Sequence, residues 1–161
     1  MEHVDKLIVR EATEEDFTQI HPLIIKRTEE FGLPTSHVPN IKKLVEDYSS
    51  KPPKFYCLVC EIDTRIVGYL IYSFGYCVYV GRYINMSELY ALATLRKEVQ
   101  LQLFTKIINI SLEMGCFQLE WVSSKNDLEF HEFSVETGAT VIPEEDGYHR
   151  YQLDAKKVQS D

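Results

Sequence analysis

Apolar and polar positions recur along this chain with two periods, and the changes of period mark its elements. Leu7 to Arg10 is a short apolar strand. Thr13-Glu14-Glu15-Asp16 then has the form of a helix start, with Thr13 as N-cap. Phe17, Ile20, Ile24 and Thr28 follow at helical spacing, and Leu23 and Ile25 widen the stripe. Pro22 falls inside this helix, where a missing N–H predicts a kink or a break into two pieces. Gly32 and Pro34 end it. Asn40 caps a second short helix, Ile41 to Tyr48, and residues 49–53 form a loop.

The middle of the chain changes to β-rich runs. Phe55 to Ile62 and Ile66 to Phe74 predict an antiparallel hairpin turning at Asp63-Thr64-Arg65. Gly75 to Arg82 is a turn-rich link, and Asn85 to Leu92 a further strand. A long helix is expected over Thr94 to Met114. Val99, Leu103, Ile107, Ile110 and Met114 make one stripe on it, with Leu101, Phe104, Ile108 and Leu112 beside it. Gly115 closes it. Phe117 to Val122 is a strand, Asp127 to Thr137 a helix closed by Gly138, and Tyr148 to Leu153 a last strand. The order predicts an α/β (α+β) fold, a mixed sheet with helices on its faces.

With 161 residues, 45% of them apolar, the chain suits a single domain over residues 1–161, its core about residues 7–154. Its 17 basic and 25 acidic residues give a net charge of -8, which disfavours a nucleic-acid surface and suits cationic small molecules or basic partners. No run reaches the roughly 20 apolar residues of a membrane span, and the N-terminus lacks the form of a signal peptide. Cys57 and Cys60 make a C-x-x-C within a strand, where a spacing of three puts them on opposite faces. Small buried thiols in a reducing, cytoplasmic or nuclear compartment are the plainer reading. The five histidines form no ligand cluster, so no metal site is predicted. None of the seven glycines lies between Arg82 and Met114.

The element order carries a series of short motifs. They are Ile8-Val9-Arg10-x-Ala12-Thr13-x-x-Asp16, Phe55-Tyr56-Cys57-Leu58-Val59, and Ile66-Val67-Gly68-Tyr69. Phe74-x-Tyr76 with Gly81, Phe133-x-x-x-x-Gly138-Ala139, and Gly147-Tyr148 follow in order. Together they resemble the GNAT acyltransferase superfamily, and within it the diamine (spermidine/spermine) acetyltransferases. The resemblance spans Leu7 to Asp154. It implies a mixed, mostly antiparallel central sheet flanked by helices, a homodimer, acetyl-CoA as cofactor and a polyamine as substrate.

Three departures from the family pattern bear on activity. The family holds the cofactor diphosphate on backbone N–H groups of a glycine-rich loop opening the long helix. Here Arg96 survives, but Lys97, Val99 and Leu101 replace the family glycines and Glu98 adds a negative charge. Good helix formers from Ala93 to Val99 predict an early helix start that closes the cradle. Backbone at Leu89 and Ala91 is insensitive to side-chain change and could still pair with the pantetheine arm. Ser134 stands where the family has a tyrosine that protonates the leaving thiolate, and serine is a much weaker acid. Ser87-Glu88 replaces a family Glu-Asp pair, and Tyr79 stands at a family tryptophan position.

The resemblance thus assigns Glu88 as base and, with Tyr79, as amine ligand if the chain is active. Glu88 as a plain strand carboxylate is an equal alternative, and loop drift with activity retained is an alternative for the missing glycines. The reading that follows is a degenerate acetyltransferase without tight cofactor binding, acting through a protein partner or residual polyamine or coenzyme A binding. Its rival is an active acetyl-CoA-dependent N-acetyltransferase of a small amine.

Overall fold

The computed structural model describes residues 6–142, together with Leu153 and Lys156. The chain divides into two compact units, Met1–Val122 and Ser123–Asp161. The first holds β1 (Ile8–Glu11), α1 (Phe17–Glu30), α2 (Ile41–Ser49), β2 (Tyr56–Ile62), β3 (Arg65–Cys77), β4 (Gly81–Ala91), α3 (Arg96–Glu113) and β5 (Leu119–Trp121). The second holds α4 (Leu128–Glu136), with the Asp127 carboxylate accepting from the Phe130 N–H at its start. The strand expected at Tyr148 to Leu153 lies outside the described residues apart from Leu153.

Among the described residues five strands form one sheet in chain order, antiparallel except for the parallel pair β4–β5. On one face α1 and α2 bring Phe17, Ile20, Leu23, Ile24, Leu44, Val45 and Tyr48 to a cluster with Cys57, Val59, Ile66, Tyr69 and Tyr90. On the other, Val99, Leu103 and Ile107 of α3 are fully buried, as are Leu58, Cys60 and Leu70 of the sheet. Four successive buried residues in β2, Cys57 to Cys60, follow from this double covering.

Two local devices fix the layers. Arg10 donates to both carboxylate oxygens of Asp16, at 2.7 and 3.0 Å, and to Glu61 at 3.1 and 3.2 Å. Asp16 also accepts from the Thr13 N–H at 2.6 Å, so one carboxylate ties β1 to the start of α1. Tyr48 donates its phenol proton to the Ala12 carbonyl at 2.6 Å, joining α2 to the end of β1, and its ring lies against Phe17 and Phe55. On the opposite face Gly68 admits α3. A Cβ there would collide with Val99 Cγ1 and lie 2.7 Å from the Tyr90 carbonyl oxygen.

Several expected boundaries are corrected. Helix α1 runs unbroken through Pro22, since proline removes one backbone bond while the buried Phe17 and Ile20 still hold the helix on the sheet. The turn-rich link expected at Gly75 to Arg82 is mostly strand: β3 reaches Cys77 and β4 starts at Gly81. On α3, Ser111 rather than Ile110 is the buried neighbour of Ile107. Leu101 and Leu112 of the second stripe are exposed, while Phe104 sits edge-on to Trp121.

Burial by itself raises the Asp16 carboxyl, but the Arg10 and Thr13 hydrogen bonds outweigh it and leave it below its ordinary range. Its contribution is therefore complete above the unfolded value of about 4 and is lost as pH falls through the folded value. Asp16→Asn should cost about 2 kcal/mol at neutral pH in urea unfolding, a deficit that shrinks as the pH is lowered below about 4. Gly68→Ala should cost about 2 kcal/mol through overpacking. The double change Gly68→Ala/Val99→Ala should cost less than the sum of the single changes, measured in the same way.

Candidate functional site

Where β4 leaves β5, the sheet opens. The parallel pair covers only Ile84↔Leu119, Asn85↔Glu120 and Met86↔Trp121. Opposite β3, Ile71 pairs Glu88 while Tyr72 pairs Met86, so Ser87 is an extra residue, a β-bulge. A bulge bends its strand, and this one falls one residue past the last β5 pairing. From there to Ala91 the outer edge of β4 has no strand partner among the described residues.

The direction of that edge follows from one hydrogen bond. The Leu92 N–H donates to the Val67 carbonyl at 2.9 Å, so Leu92 faces β3. Backbone groups alternate along a strand. Those of Leu89 and Ala91 therefore face the opening, while their side chains are buried. A ligand with alternating amide donors and acceptors, such as a pantetheine arm, fits this edge.

The next segment is helical almost at once. Ala93–Leu95 form a 3-10 turn and α3 begins at Arg96. No side chain caps α3, and Glu98 stands in its first turn. On a helix, residues 97 and 101 share a side and residue 99 lies opposite. Lys97 and Leu101 are exposed, whereas Val99 is fully buried against the Gly68 position. The three replaced glycine positions thus do not fill one cradle: Val99 belongs to the core. Arg96, Lys97 and Glu98 make up the first turn of α3. None of these three is a glycine, the residue whose missing side chain allows a diphosphate its closest approach to backbone N–H groups.

Glu88 lies on the α1/α2 face, in register with Ile71 and two residues from Tyr90. Its Oε1 is 3.8 Å from Nε of Arg27 in α1, and its side chain is one-third exposed at 32%. Arg27 is held further by Glu30, at 3.5 Å, and its guanidinium lies 4.3 Å from the centre of the Phe31 ring. Beneath this pair Tyr69 is fully buried and stacked on Tyr90. Its hydroxyl has no hydrogen-bond partner among the described residues. Burial, then the negative charge of Glu88, pushes this phenol far above its ordinary value.

Tyr79 is not gathered here. Tyr79 sits in the turn between β3 and β4 and is 92% exposed. Glu88 is seven residues beyond the first residue of β4, about 23 Å along an extended strand. Ser134 belongs to the second unit, where its hydroxyl donates to the Phe130 carbonyl at 2.8 Å within α4. Leu89, Ala91, Arg96 and Glu88 are brought to one stretch of the first unit, with Lys97, Val99 and Leu101 just beyond. Sequence reasoning missed Arg27, the Ser87 bulge and the buried Tyr69 hydroxyl. Arg27 reads as an ordinary helix-surface cation, and Ser87 has no glycine to mark a bulge. Among the described residues no group of His, Cys, Asp and Glu could hold a metal ion, and no helix is long and apolar enough to cross a membrane.

No family model matches the chain. Thialysine N-epsilon-acetyltransferase of Bos taurus is 25% identical over 161 aligned residues, covering 94% of this chain and 95% of that protein. The Mus musculus protein of the same name is 26% identical, covering 93% and 94%. Among solved structures, an aminoglycoside acetyltransferase from an uncultured soil metagenomic sample superposes with TM-score 0.72 at 19% identity, covering 95% of this chain and all of that one. An acetyltransferase of Trypanosoma brucei gives 0.68 at 19% identity, covering 92% and 99%. With its bulged β4, its opening beside β5 and a helix on each face, the chain has the fold of the GNAT acetyltransferases, and in sequence it is similar to the diamine acetyltransferases.

Proposed function

We propose that this chain is a degenerate acetyltransferase that keeps the scaffold and acts through protein contacts or residual binding of coenzyme A or a polyamine, without efficient acetyl transfer. One observation carries this reading. Helical structure begins at Ala93, and the first turn of α3 offers side chains where a diphosphate needs bare backbone. Ser134 adds to it, since its hydroxyl is engaged with a helix carbonyl and is a weak acid for a departing thiolate. The same reading takes the protein as a cytoplasmic or nuclear homodimer. Four free cysteines suit a reducing compartment, and the exposed Tyr76, Val78, Tyr79 and Val80 at the β3–β4 turn suit an interface.

The open β4 edge favours a second reading, an active N-acetyltransferase of a small amine. Its Leu89 and Ala91 backbone could seat a pantetheine arm whatever the side chains are, and Glu88 or a water would take the amine proton.

Calorimetric titration separates the two. Acetyl-CoA should bind no tighter than about 100 µM, about -5.5 kcal/mol or weaker, whereas a low-micromolar Kd overturns the closed cradle. Incubation with acetyl-CoA and spermidine or thialysine should give no product. Turnover that Glu88→Ala abolishes would establish the active enzyme instead. Glycine substitutions test the cradle itself. Lys97→Gly and Leu101→Gly should each cost about 1 kcal/mol, and Val99→Gly about 3 kcal/mol because it also leaves a cavity under Gly68. If the double variant Lys97→Gly/Leu101→Gly binds acetyl-CoA more tightly, side chains are the block. Unchanged binding would place the obstacle in the early helix start.

A further inference from the structure

The cation beside Glu88 belongs to the chain itself. Glu88 is the one acidic side chain on the α1/α2 face of β4, and it stands one residue beyond the bulge, next to the opening. Arg27 Nε is 3.8 Å from its Oε1, a Coulombic contact somewhat longer than a hydrogen bond. Its side chain is only 19% exposed, and its guanidinium lies over Phe31 and is braced by Glu30. An amine arriving from solution must compete with a tethered cation of high effective concentration. A polyamine meets, in addition, repulsion between its further ammonium groups and Arg27.

We propose that Arg27 is a specificity-determining residue that occupies Glu88 as a built-in cation and weakens polyamine binding at the amine site. The inference rests on the reading of Glu88 as the amine ligand. It concerns the amine alone and is independent of the state of the cofactor cradle. In this chain the amine site keeps one carboxylate, and its own counter-ion occupies it. Removing the guanidinium while keeping a long apolar side chain opens the site to a cation.

The test is calorimetric titration of spermidine, without acetyl-CoA, into the wild-type chain, Arg27→Met, Arg27→Gln, Glu88→Gln and Arg27→Met/Glu88→Gln. Near-ultraviolet circular dichroism shows which variants keep the native fold. Arg27→Gln, polar and uncharged, stands in if Arg27→Met does not. The folded Arg27 variant should bind spermidine at least about tenfold more tightly than wild type, the scale of one lost charge-assisted competitor, and Arg27→Met/Glu88→Gln should lose the gain. Equal or weaker binding by both Arg27 variants overturns the proposal. If wild-type binding then falls in Glu88→Gln, the assignment of Glu88 as amine ligand survives alone. A gain that persists in the double variant overturns both, because the amine then binds elsewhere.

Discussion

The closeness of α3 to the sheet is the constraint on which the site depends. Gly68 has no side chain, so Val99 seats directly on β3, and the carbonyl of Tyr90 closes the remaining space. That contact fixes the start of α3 relative to the end of β4, only a few residues away in sequence. Together with the bulge at Ser87 it defines the opening between β4 and β5. A glycine at position 99 would loosen the very contact that places the helix N-terminus. In this chain the packing requirement and a glycine cradle therefore compete for one residue, and packing holds it.

Much of the fold was legible in the sequence, and the reasons are local. The capping motif from Thr13 to Asp16, the Asn40 cap and Gly115 are short-range signals whose partners lie within a few residues. The hairpin between β2 and β3 showed in its turn, where Asp63 and Thr64 take positive φ. Of the kink or break expected at Pro22, the break does not occur, because packing on the sheet overrode a local preference. The extension of β3 to Cys77 was hidden because Gly75 reads as a turn, although the Tyr83 ring packs over it across the hairpin.

The site was legible only in part, for the same physical reason. A family pattern pointed to Glu88 and to the glycine positions, but pattern says nothing of what lies across the fold. Arg27 is 61 residues from Glu88 and meets it only because α1 covers the face on which β4 turns at its bulge. The three replaced glycines looked alike in sequence. Helix geometry sends Lys97 and Leu101 outward and Val99 inward, so the same substitution has two different meanings.

The two cysteines of β2 stand three residues apart, and each faces a different layer. Cys57 lies in the α1/α2 cluster, and Cys60 points to the face that α3 covers. Burial pushes their thiols up to about 12 and about 11, so neither is a thiolate at neutral pH. Reaction with an alkylating reagent needs the covering layer to lift. The chain thus carries a separate chemical clock for each side of its sheet: alkylation at Cys57 times the departure of α1 and α2, and alkylation at Cys60 times the departure of α3.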